Sequence, residues 1–156
     1  MLSVDMENIF DEAFCNVTKK LVNLELKKVS GGKEEISFAE GYREAIETHG
    51  YLSAKVICWF SDGLFHYITD MMNGGTTPSE AEIPLFLNEY INIACGYAVS
   101  KLNDIAGRSS RLSIPYFFQG MEKMGEKWEI HEGESILYHT EIGKLYILVK
   151  YSFQNE

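Results

Sequence analysis

Glu89 and Asn92 stand three residues apart in a segment with helical periodicity, so they share one face. A carboxylate beside a carboxamide on a rigid helix can engage a cationic partner and orient a water molecule. The pair by itself supplies no activated nucleophile and holds no metal. Gly96 follows Asn92 by four residues, and Pro115 closes an Asn-x22-Pro spacing.

At about 100° per residue, Glu89, Asn92, Gly96 and Ser100 fall within an arc of roughly 80°. Phe86, Tyr90, Ile93, Ala94, Tyr97, Ala98 and Leu102 fill much of the remaining surface, which predicts a largely buried helix with one narrow polar stripe. Gly96 costs such a helix about 1 kcal/mol relative to Ala. Its place on the stripe suggests that something approaches the backbone there. The stripe could equally face water, with Gly96 making room for a neighbouring strand.

Other reactive residue types form no such constellation. His49, His66, His131 and His139 are scattered, and Asp62 with His66 reads as an i,i+4 surface pair. Cys15, Cys58 and Cys95 are odd in number, far apart and set among apolar residues, so they read as core filling. Gly74-Gly75 is a turn with no phosphate-loop Lys after it. Glu122, Glu126, Glu129, Glu132 and Glu134 read as a solvated face, or as a docking surface for a basic partner.

The elements that must position these residues follow from periodicity. A helix is predicted over 4–22, on a stripe of Ile9, Ala13, Phe14, Val17 and Leu21. Strands are predicted at Leu24–Val29, Ile36–Tyr42 and Tyr51–Phe60, with a turn at Ser30-Gly31-Gly32-Lys33. Ser61-Asp62 reads as the N-cap of a short helix over 62–72, which Asn73-Gly74-Gly75 stops. Ser79 and Glu82 form a capping box for the long helix, expected to run to about Asn103. Arg111–Phe118 reads as an edge or bulged strand, since Pro115 cannot donate to a ladder. Ser135–Thr140 and Lys144–Phe153 form a hairpin about Gly143. Strands clustered in hairpins predict an α+β fold, mainly an antiparallel sheet with long helices packed on one face.

A chain of 156 residues can close a core as a single domain, 1–156. The net charge of -9 argues against nucleic acid and anionic membranes as partners. The N-terminus has no signal-peptide pattern, and no apolar run approaches the roughly 20 residues of a membrane span, so a cytoplasmic protein is expected.

Glu89-Tyr90-Ile91-Asn92-Ile93-Ala94-Cys95-Gly96-Tyr97-Ala98, followed by Ile114-Pro115 and Gly120, resembles the Glu-x2-Asn-x22-Pro signature of the CheC/CheX/FliY family. The order of a strand near Trp59, a short helix, a Gly-containing loop and the signature helix is similar to the single-site CheX branch. The resemblance covers roughly 25–153 and implies a CheC-like fold. It implies dephosphorylation of a phospho-aspartyl, CheY-like response regulator. Asn92 would orient the attacking water, Glu89 would pair with the regulator's lysine, and Gly96 and Pro115 would support them. The chain would carry no cofactor of its own, with magnesium on the partner regulator, and would form a homodimer, for which the hairpin 135–153 offers an edge. Leu85 departs from the pattern, which often has Asp or Ser four residues before the Glu. The helix around Asp11–Asn16 lacks Glu-x2-Asn, so a second, CheC-type site is not expected.

Two other readings stand beside this one. Leu85 favours a non-catalytic domain of the same fold that binds a receiver. A closed apolar pocket would favour a small-molecule binder, whereas an exposed Glu89/Asn92 ridge would oppose it.

Overall fold

Apolar side chains on both faces of its central strands build a seven-stranded sheet in the computed structural model, which describes residues 4–29, 40–118 and 133–154. The chain runs α1 (Met6–Val22), β1 (Lys27–Val29), β2 (Tyr42–Gly50), β3 (Leu52–Phe60), α2 (Asp62–Met72), α3 (Ile83–Ala106), β4 (Ser110–Leu112), β5 (Tyr116–Phe118), β6 (Glu134–His139) and β7 (Lys144–Phe153). The sheet order is β1-β6-β7-β3-β2-β4, with β5 also paired to β2. Each pairing is antiparallel, as expected of the α+β class.

The larger core lies between the helices and one sheet face. Phe10, Phe14 and Val17 of α1, Leu64 and Ile68 of α2, and Leu87, Ile91 and Ala98 of α3 meet Ile46, Val56, Phe60 and Ile147 there. A second cluster of Ala45, Ile57, Trp59, Leu137, Tyr146 and Leu148 occupies the opposite face. Alternation along β2 and β3 sorts these sets, because successive side chains point to opposite faces. Thr18 and the Tyr90 hydroxyl share a buried 2.6 Å hydrogen bond that ties α1 to α3. Lys101 pairs with Glu12 at 3.1 Å on the rim of the same contact.

Several boundaries differ from the sequence reading. A strand was expected at 36–42; residues 36–39 lie outside the described ones, and β2 starts at Tyr42 and continues to Gly50. Its alternation is disguised because Arg43, Glu44 and Thr48 are buried among apolar neighbours. The single strand expected at 111–118 is two, β4 and β5, both on β2 and divided at Ser113–Pro115. Proline has no backbone donor for the ladder, so pairing lapses there. The 135–153 hairpin does not offer β7 as an edge: β7 lies between β6 and β3. Its run Leu145–Val149 is buried on both faces, a pattern suited to an inner strand. Among the described residues, the outer strands are β1 at one end and β4 and β5 at the other.

Two cap signals act differently from expectation. Ser61 precedes α2, but its hydroxyl accepts from the Lys144 amide at 2.9 Å instead of capping the helix. Ser79 and Glu82 bind each other, with Glu82 Oε1 accepting from the Ser79 amide and hydroxyl. The helix nevertheless begins at Ile83, with Pro84 tolerated in its first turn. The turn at 30–33 lies outside the described residues.

Candidate functional site on the exposed face of the long helix

The buried residues of α3 recur as Leu87, Tyr90, Ile91, Ala94, Cys95, Ala98, Val99 and Leu102, the stripe of a helix packed along one side. That stripe holds α3 against α1, α2 and β2 and leaves the opposite side open. Glu89 and Asn92 both lie exposed on that side, and Gly96 is half-buried. Gly107 ends the helix in the left-handed conformation at φ 66°, its amide donating to the Asn103 carbonyl at 2.8 Å. Glu89 and Asn92 thus ride in the N-terminal half of an anchored helix.

The polar stripe is not bordered by buried apolar residues alone, as the wheel implied. Ile93 and Tyr97 are exposed beside it, and Leu85 is 63% exposed at its N-terminal end. The connection between β4 and β5 adds Ile114, 83% exposed. This connection is held in place: Ser113 Oγ accepts from the Glu47 amide at 3.0 Å, and the Ser113 amide donates to the Glu47 carbonyl at 2.8 Å. Pro115 is buried beside it. α3 packs on both β4 and β5, and the Leu112 side chain at the end of β4 lies against Gly96.

Gly96 is not required by a neighbouring strand. A Cβ added there would meet Leu112 Cδ1 at 3.7 Å, an ordinary contact, and nothing closer among the described residues. The glycine instead leaves a shallow place on the exposed surface next to Asn92. Outside partners can approach the backbone there.

Residues elsewhere offer less chemistry. Burial pushes the Cys58 and Cys95 thiols upward, so they are poor nucleophiles. Burial, then the neighbouring Asp11 carboxylate, pushes Cys15 up to about 11. Asp62 and His66 pair at 3.4 Å on α2, the surface pair their spacing predicts. Among the described residues, no three of His, Cys, Asp and Glu converge as a metal site would require. None of their helices is long and apolar enough to cross a membrane. Gly120, His131 and the acidic residues 122–132 lie outside the described residues, while Glu134 is half-buried at the start of β6.

The sequence reading missed one contact beneath the site. Glu44 of β2 is fully buried, and burial pushes its carboxyl up to about 8. With the Asn88 amide nitrogen turned toward its two acceptors, it donates to the Pro84 carbonyl at 3.1 Å and to Glu44 Oε2. A charged residue directly before Ala45 and Ile46 is the available signal, hidden because the polar residues of 43–50 mask the alternation of a strand.

Comparison with known proteins gives the family and the fold. The family model described as Chemotaxis phosphatase CheX matches residues 44–129, more than half of the chain, from Glu44 through α3 and past Pro115. No curated protein matches. Among solved structures, the chain is similar to the chemotaxis protein CheX from Desulfovibrio desulfuricans, with TM-score 0.77 and 13% identity, covering 96% of this chain and 100% of that one. It is similar to the chemotaxis protein CheX from Vibrio vulnificus, with TM-score 0.75 and 20% identity, covering 96% of this chain and 97% of that one. It also matches the CheX–CheY–BeF3–Mg+2 complex from Borrelia burgdorferi, with TM-score 0.73 and 16% identity, covering 96% of this chain and 99% of that one. At these identities the likeness to solved structures establishes a shared fold.

Proposed function

The chain belongs to the CheX family of chemotaxis phosphatases, and on that premise we propose that it hydrolyses the aspartyl phosphate of a CheY-like response regulator in the cytoplasm. The observation that carries this reading is the exposure of Glu89 and Asn92 together on the open side of an anchored helix. A relative solved as a CheX–CheY–BeF3–Mg+2 complex supports the choice of partner.

The chemistry needs little from this chain. A water oxygen attacks phosphorus, the bond from phosphorus to the acyl oxygen breaks, and the aspartate carboxylate leaves with that bond's electrons. The water protons remain with the phosphate and solvent. A carboxylate is a good leaving group, so no general acid is needed. Phosphoryl transfer is governed mainly by positioning and charge stabilisation. Asn92 enters beside the phosphoryl group and its carboxamide holds the water in line. Glu89 pairs with the regulator's lysine and sets the register of docking. The regulator supplies that lysine and its own magnesium, and this chain brings no cofactor.

The apolar rim of Leu85, Ile93, Tyr97 and Ile114 suits a protein partner better than a small solute. Burying such residues at a contact excludes water from the polar pair at its centre. Gly96 and Pro115 are supporting residues in this scheme, the first by leaving room and the second by ending β-pairing beside the site. A homodimer assembled away from this face completes the proposal.

Leu85 supports a second reading, a non-catalytic domain that binds a receiver, because an exposed apolar group stands where relatives often have Asp or Ser. The deciding experiment follows decay of a magnesium-loaded, phosphorylated receiver with and without the protein. Accelerated decay that Asn92→Ala abolishes supports hydrolysis. Binding to a BeF3-loaded receiver with unchanged decay replaces it with the second reading.

A further inference from the structure

Glu44 lies under the candidate site at 0% exposure. Its register opposite Cys58 of β3 and Phe117 of β5 fixes where it points. Alternation puts it on the helix side with Ile46, while Arg43 and Ala45 face the other cluster. Among the described residues no Lys, Arg or His forms an ion pair with it. The polar group that meets it is the Asn88 carboxamide, which also holds the Pro84 carbonyl one turn earlier. Asn88 directly precedes Glu89 and lies one turn before Asn92.

We infer that Glu44 is a positioning residue for α3: through Asn88 it holds the first turns of the helix against β2 and so sets the height and rotation of Glu89 and Asn92. The bond from Asn88 by itself favours the ionised carboxyl, but burial outweighs it, so the neutral form is the one held there. A buried carboxylate without a cation is strongly disfavoured, whereas a carboxylic acid bonded to an amide is tolerated. Burial raises Glu44 to about 8, so at neutral pH the acid form prevails. Among the described residues, the ionisable groups on the elements packed against it are Tyr42, two residues away on the same strand face, Cys58 opposite it on β3, and Cys95 of α3, which interacts with Cys58. Cys58, Cys95 and Tyr42 are each raised, chiefly by burial, so none supplies a compensating charge. Once ionised, Glu44 gains stabilisation mainly by hydration. Water reaches it by parting α3 from β2 and β5, which moves the Glu89/Asn92 pair.

The consequence for turnover rests on the phosphatase reading, while the coupling of Glu44 to the helix does not. The test therefore has two arms. In the free protein, NMR from about pH 5 to about pH 10 follows the Glu44 carboxyl carbon, the Asn88 side-chain amide and the backbone amides of Glu89 and Asn92. All are expected to move with one midpoint, near 8. In Asn88→Ala, Glu44 still titrates but the Glu89 and Asn92 amides no longer follow. In the second arm, receiver dephosphorylation falls several-fold on the alkaline side with the same midpoint. Glu44→Leu lowers kcat roughly tenfold with KM little changed. Glu44→Gln, which keeps an acceptor for Asn88 but cannot ionise, restores turnover and has no alkaline limb. Helix amides indifferent to Glu44, or one pH profile shared by parent and Glu44→Gln, would overturn the inference. If the parent never accelerates receiver decay, the phosphatase reading fails alone, and the amide titration still decides the role of Glu44.

Discussion

Asn92 and Glu89 are neighbours on one helix face, yet the proposed chemistry gives them separable signatures. An amide that orients water acts mainly in the transition state, so its loss lowers rate more than affinity. Asn92→Ala is expected to cut receiver dephosphorylation roughly a hundredfold, while affinity for a BeF3-loaded receiver changes by less than about threefold. In the proposed complex Glu89 would make its lysine pair in the bound ground state as well. Glu89→Ala is therefore expected to weaken both binding and turnover, measured in the same two assays. Equal loss of binding in both variants would remove the division of labour. Leu85 lies on the same exposed face, one turn before Glu89. Leu85→Asp is expected to raise kcat with the fold unchanged by circular dichroism, since a carboxylate there returns the polar contact this chain lacks. A drop in rate would mean that Leu85 belongs to the apolar contact with the regulator.

The long helix owes its order to its buried stripe, not to its ends, and this separates stability from function at Gly96. A Cβ there has space, with Leu112 Cδ1 at 3.7 Å. Gly96→Ala is expected to stabilise the protein by about 1 kcal/mol in denaturant unfolding. It should lower turnover, because the added methyl would stand where the proposed mechanism brings the regulator to Asn92. Increased stability with full activity would show that nothing packs there. The helix was legible in the sequence because its 3.6-residue stripe spans many turns, and the Glu89/Asn92 pair was legible with it. Two features escaped for physical reasons. β2 carries buried Arg43, Glu44 and Thr48, so its polarity masks a strand that is buried on both faces. The exposure of Ile93 and Tyr97 depends on where α1 and the sheet stop covering α3, which is a tertiary fact that a helical wheel does not contain.

At the scale of the molecule, strand order decides where a second copy can join. β7 is interior, so the β6–β7 hairpin cannot pair through it, and among the described residues the outer strands β1, β4 and β5 are the edges. β4 and β5 border the candidate site, so a dimer that leaves both sites open favours the β1 end. Light scattering at micromolar concentration is expected to give twice the chain mass, and the mass of one chain would refute the dimer. Glu44 gives the whole fold a pH dependence whose sign is fixed. Its carboxyl titrates near the ordinary value of 4.5 in the unfolded chain and at about 8 in the folded one. Between those values the folded state holds a proton that the unfolded state has released, so stability falls as pH rises, by roughly 1.4 kcal/mol per pH unit from this group. Below about 4.5 and above about 8 its contribution is flat. Denaturant midpoints of Glu44→Gln should match those of the parent near the lower end of this window and exceed them increasingly toward the upper end. Other carboxylates and histidines titrate in both proteins, so the difference between the two curves isolates Glu44. Parallel curves would mean that Glu44 titrates as an exposed carboxyl does, and with that the positioning role assigned to it would fall.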